Sequence, residues 1–117
     1  MTIDTTEHRI SEIIARLKPI DPLKVILFGS QARGTATTES DLDLLVVLKS
    51  DAMPRTYRER EALYLQVAGL LRDIRSKVAM DLIVHTRPMH ARFVEMDSLF
   101  AREVLQNGVV LYESKHT

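Results

Sequence analysis

The chain has 117 residues, 45% hydrophobic and 27% charged, with Lys+Arg and Asp+Glu balanced at 16 each. That length suits a single domain over 1–117 with one core, and the neutral balance argues against a protein that tracks nucleic acid by bulk charge. There is no cysteine, hence neither disulfide nor thiolate metal site, and without a long apolar run or a positively flanked apolar leader the expectation is a cytoplasmic protein that contacts no membrane.

In chain order, the first six residues read as a frayed terminus. Ile10, Ile13, Ile14 and Leu17 share one helical face over about 7–17, and Pro19 and Pro22 end that helix. VILF (25–28) is a short buried strand punctuated by Gly29. Thr35 to Ser40 reads as a polar loop, and LDLLVVL (42–48) as a second strand. Pro54 opens a helical segment to about Lys77, with Leu63, Val67, Leu70, Leu71 and Ile74 as its apolar stripe. DLIVH (81–85) is a third strand, and Pro88 starts further helix. A clearer helix spans about 98–106, capped by Asp97 or Ser98 and stopped by Gly108, and VVLY (109–112) is a last strand. The alternation predicts an α/β (α+β) fold, a small mixed β-sheet covered by helices.

The chemistry concentrates in LFGSQARGTATTESDLDLLVVL (27–48). Asp41 and Asp43 stand at the head of the second strand, on the same side and about 6.6 Å apart along it, while Leu42 points into the core. If strands 25–28 and 42–48 are antiparallel neighbours, Gly29, Ser30 and Arg33 lie at the same sheet edge. Asp81 opens the third strand as the other two open the second. A parallel pair of strands needs a crossover of a dozen or more residues, which the helical segment 54–77 supplies, so the three carboxylates can converge. Singly, each Asp is an ordinary turn former. Together they repel unless cations intervene, and hard divalent ions such as Mg²⁺ match oxygen-only ligands. Ser30, loop N–H groups and Arg33 offer donors to phosphate.

Phe28-Gly29-Ser30, a spacer, Asp41-Leu42-Asp43-Leu44 and a later Asp81 resemble the signature of nucleotidyltransferases of the DNA polymerase β superfamily. The wording GSQARG…SDLDLLV looks most like the minimal nucleotidyltransferase (MNT) domains that serve as antitoxins beside HEPN ribonuclease toxins. The resemblance implies a polymerase β-like nucleotidyltransferase fold and catalytic Asp41, Asp43 and Asp81 holding two Mg²⁺ ions. It gives Gly29, Ser30 and Arg33 to nucleotide binding, and it implies transfer of AMP from ATP to a hydroxyl, a tyrosine of the HEPN partner. Neutralisation by binding alone, or transfer to a small acceptor such as an aminoglycoside, are the competing functions. The stretch after Asp81 suffices to finish one sheet, so the second wall of the cleft is expected from another molecule, in a homo- or hetero-oligomer, with no direct nucleic-acid contact.

Other candidates read as structural. His85 and His90 lack the four-residue spacing of a helical zinc pair. His8 and His116 read as solvated, and Tyr57, Tyr64 and Tyr112 as packing residues. Met53, Met80, Met89 and Met96 read as core or gap filling, and Arg87, Arg92 and Arg102 as solvated charge.

Overall fold

Four strands and six helices follow from these patterns in a computed structural model, which describes residues 6–33 and 41–115. Helix α1 (Thr6–Leu17) runs into a short 3-10 turn, Lys18–Ile20, that carries Pro19 in its first positions. Strand β1 (Lys24–Phe28) leads directly into α2 (Gly29–Arg33), and β2 is Leu42–Val47. After it come α3 (Tyr57–Leu70), α4 (Arg72–Arg75), β3 (Met80–His85), α5 (Arg87–Met96), α6 (Leu99–Asn107) and β4 (Val109–Glu113). The expected loop Thr35–Ser40 falls outside the described residues.

The sheet order is β3-β2-β1-β4. β1 is antiparallel to both β2 and β4, and β2 is parallel to β3. The crossover from β2 to β3 is α3 with α4, as a parallel pair requires. This is the mixed sheet expected of the sequence.

Alternation along the strands divides the apolar residues between two faces. On one, Val25, Leu27, Leu42, Leu44 and Val46 pack with Ile13 and Leu17 of α1 and with Val67, Leu71 and Ile74 of the crossover. On the other, Ile26, Phe28, Leu45 and Val47 pack with Val104 of α6, and Ile83 and Phe93 close against them. Removing a side chain such as Leu44, which is wholly buried, costs about 2–5 kcal/mol in cores of this kind.

Three expectations are corrected. The crossover is not one helix from Pro54 to Lys77. Pro54 is buried in the preceding loop, α3 begins after Thr56, whose side chain accepts from the Glu59 N–H, and the helix is interrupted at Leu71. Two methionines expected in the core are at the surface, Met53 and Met96. Tyr57 is 79% exposed, because it is the first residue of α3 and faces away from the apolar stripe. Of the two candidate caps for α6, Ser98 is the one used, accepting from the Ala101 N–H at 3.0 Å. Gly108 does end α6, although not through a left-handed turn (φ −70). A Cβ there would lie 2.2 Å from the Val104 carbonyl oxygen and 2.7 Å from Ile26 Cγ2, so close approach to the backbone of α6 and to β1 is what requires glycine.

Candidate active site

The parallel ladder between β2 and β3 puts Asp43 directly opposite Asp81. Paired residues of adjacent strands project to the same face, about 4.8 Å apart. On the other side of β2, Asp43 is paired with Phe28, the last residue of β1. The two carboxylates therefore sit at the rim of the second face, beside the buried Phe28 and Leu45 and the half-buried Ile83. Asp43 is half-buried and Asp81 exposed. At about 5 Å and an effective dielectric near 20, two such charges repel by roughly 3 kcal/mol, a cost that a bound cation would reverse.

Asp41 lies one residue outside β2 and is exposed. No strand ladder holds it, in contrast to Asp43 and Asp81. Among the described residues, no group of three His, Cys, Asp or Glu is gathered closely enough to hold a metal ion. What the strands build is a platform of two adjacent carboxylates, with a third acidic residue at its approach. Mg²⁺ accepts such a platform, because it keeps waters or substrate phosphates in its remaining positions and needs only one or two protein carboxylates.

Gly29 is tied to this platform by geometry. Its φ of +74 lies in the left-handed region, and a Cβ built on it would stand 2.2 Å from Asp43 Oδ2 and 3.1 Å from Asp43 Cγ. Only glycine lets the chain leave β1 while its backbone passes against the carboxylate. Ser30 follows as the second residue of α2, half-buried, and α2 closes with Arg33, whose side chain lies outside the described residues. The five-residue helix GSQAR is not legible in the sequence. It is too short for a periodic stripe, and the only signal was the glycine that starts it.

An aromatic group borders the site. Phe28 meets Phe100 of α6 edge-on, with centroids 5.6 Å apart, and Phe100 meets Phe93 of α5 in the same way at 5.9 Å. Phe100 remains 46% exposed and its neighbour Leu99 84% exposed, so large apolar surface faces outward beside Phe28, the register partner of Asp43.

Residues 8–100 match the family model described as a nucleotidyltransferase domain. No curated protein sequence matches the chain significantly. The fold is similar to a Sulfolobus solfataricus protein provisionally assigned as a nucleotidyltransferase, with a TM-score of 0.61 at 19% identity over 94% of this chain and 85% of that one. It is similar to a chain of a toxin–antitoxin solved with AMP-PNP, at a TM-score of 0.57 and 21% identity over 91% and 74%. A protein provisionally assigned as a minimal nucleotidyltransferase gives 0.51 and 27% over 93% and 95%. With the family model spanning most of its length, the chain belongs to the nucleotidyltransferase-domain family.

Proposed function

We propose that the protein transfers AMP from ATP to a hydroxyl of a partner protein, a tyrosine of a HEPN ribonuclease toxin, and acts as its antitoxin. The observation that carries the reading is the register pairing of Asp43 with Asp81, with Gly29 packed against the Asp43 carboxylate. The likeness to a toxin–antitoxin solved with AMP-PNP supports an adenine nucleotide and a toxin partner.

In this reading Asp41, Asp43 and Asp81 would hold two Mg²⁺ ions, which when bound neutralise phosphate charge and polarise the reacting oxygens. Gly29 and Ser30 bind the triphosphate through backbone and hydroxyl donors, and Arg33 adds a charge-assisted contact. The acceptor oxygen attacks the α-phosphorus, the bond from that phosphorus to the bridging α–β oxygen breaks, and pyrophosphate leaves. Asp81 takes the proton of the acceptor hydroxyl, being the most exposed of the paired carboxylates and the outer one on the sheet. The apolar surface at Leu99 and Phe100 favours a protein acceptor over a small polar one, since an exposed apolar patch beside a reacting edge suits a macromolecular contact.

A second reading is neutralisation of the partner by binding alone, for which the exposed apolar surface at Leu99 and Phe100 would supply the contact. Intact-mass measurement of the partner after incubation with this protein, ATP and Mg²⁺ separates the two. Catalysis adds about 329 Da per adenylyl group to the partner. An unmodified partner in a stoichiometric complex establishes the binding reading instead.

A further inference from the structure

We propose that the cavity between α3 and α5, at the end of β3 remote from Asp81, binds a small apolar carboxylate. The site goes beyond the transferase reading and shares no residue with it. His85 closes β3 and lies about 13 Å along the strand from Asp81, at four residues of about 3.3 Å each. Around it the cavity is lined by Arg60 of α3 and by Met53 of the loop before that helix. Its remaining wall is α5, which contributes Met89, Arg92, Phe93 and Met96. Those four recur at intervals of three, four and seven residues, so they share one face of the helix. No residue of α5 is fully buried, and this face therefore borders open space where a core-facing helix would be covered.

The lining selects the ligand by charge, by polarity and by size. Arg60 and Arg92 reach the cavity from different helices, and no Asp or Glu lines it. Among the described residues, neither guanidinium has an ion-pair or side-chain hydrogen-bond partner. Two like charges bordering one cavity repel each other, and an anion between them is attracted by both. A carboxylate is the matching anion, because a guanidinium donates to it through two parallel N–H···O bonds. His85 adds no charge, since burial first, and then the His90 ring beside it, pushes it down to about 4. The rest of the lining is apolar. Met53 and Met96 are 47% and 68% exposed, so they sit at the mouth, and thioether side chains adapt readily to an apolar body. A wholly polar anion such as inorganic phosphate would leave them and Phe93 without an apolar partner. The cavity measures about 200 Å³. One of about 150 Å³ takes benzene, so there is room here for one ring or a short alkyl chain together with its carboxylate.

The test is a nuclear magnetic resonance titration of the full chain, labelled with carbon-13 at the methionine methyl groups, with sodium benzoate and with sodium hexanoate. The methyl signals of Met53, Met89 and Met96 are expected to move along a saturable one-site curve with at least one of the two probes, while that of Met80, in the core of the first face, stays in place. Benzyl alcohol, which keeps the ring and lacks the charge, should bind about tenfold more weakly than benzoate or worse, because it forfeits charge-assisted hydrogen bonds. Arg60→Gln combined with Arg92→Gln, both at exposed positions, should lose affinity for the carboxylates to the same degree while retaining its far-ultraviolet circular dichroism. The comparison with benzyl alcohol needs no variant and decides the role of charge even where the double substitution disturbs the fold. Absence of a saturable shift with both carboxylates, equal binding of benzoate and benzyl alcohol, or undiminished carboxylate binding by the double variant overturns the proposal and leaves the two arginines as solvated charge.

Discussion

Gly29 shows how closely one residue can be bound to the chemistry of another. Its left-handed φ and the 2.2 Å approach of its would-be Cβ to Asp43 Oδ2 make two separate demands for glycine at one position. Gly29→Ala is therefore expected to destabilise the fold by more than the ~1 kcal/mol that a left-handed conformation alone costs an L-residue, and to displace the Asp43 carboxylate. A urea titration measures the first effect, and a midpoint equal to wild type would show that the backbone relaxes without strain. The sequence made the Gly-Ser pair and the three aspartates legible, because glycine after an apolar run and charge at a strand head both stand out from their background. It did not make legible that Gly29 packs on Asp43, which depends on the antiparallel register of β1 with β2. The encounter of His85 with His90 was equally hidden. A five-residue separation that crosses from strand to helix fits neither the period of two nor the period of 3.6.

Among the elements, α3 carries a start signal that the reading of Pro54 obscured. Thr56 accepts from the Glu59 N–H at 3.2 Å, while the Glu59 carboxylate accepts from the Arg55 N–H at 2.7 Å. The Thr-x-x-Glu pattern of a capping box was present in the sequence and marks the true boundary. Thr56→Ala should cost ~1 kcal/mol of stability, measurable as a lowered denaturation midpoint, and no change would mean that the cap is dispensable in so exposed a helix. The α5–α6 pair makes a functional prediction. Leu99, the first residue of α6, is 84% exposed, so Leu99→Asp should leave stability within about 0.5 kcal/mol of wild type. If this surface receives the partner, the substitution should weaken association about tenfold or more, since burying a leucine side chain is worth about 1.5–3 kcal/mol. Surface-binding kinetics would measure it, and an unchanged dissociation constant would move the partner's contact elsewhere.

At the scale of the whole molecule, the far side of the sheet is held by a polar clamp. Asp21, at φ 43 after the 3-10 turn, accepts from Lys49 Nζ and from the Tyr112 hydroxyl, each at 2.5 Å, and from Ser114 Oγ at 3.3 Å. It thereby joins the segments before β1, after β2 and at the end of β4. The Lys49 and Tyr112 hydrogen bonds hold its carboxyl at about 2, down from 3.8. A folded-state pKa below the unfolded one means that the clamp stabilises fully above pH 3.8 and is lost as pH falls toward 2. Asp21→Asn should flatten the acid limb of a stability–pH curve over that interval, and a curve parallel to wild type would remove Asp21 from the account. The parallel direction of β2 and β3 was readable because a helical crossover joins them, whereas the antiparallel pairing of β1 with β2 entered the sequence argument only as a condition. The pairing of individual residues across strands was not readable, since register is set by the packing of both faces together.

The central claim is that the carboxylates at the heads of β2 and β3 bind nucleotide through divalent metal. Calorimetry of ATP binding, with and without Mg²⁺, to the wild type and to Asp43→Asn tests it most directly. The account predicts that the wild-type chain binds ATP in the presence of Mg²⁺, and that Asp43→Asn loses this binding while keeping its circular dichroism spectrum. Binding of Mg²⁺-ATP by Asp43→Asn as tight as by wild type would contradict it.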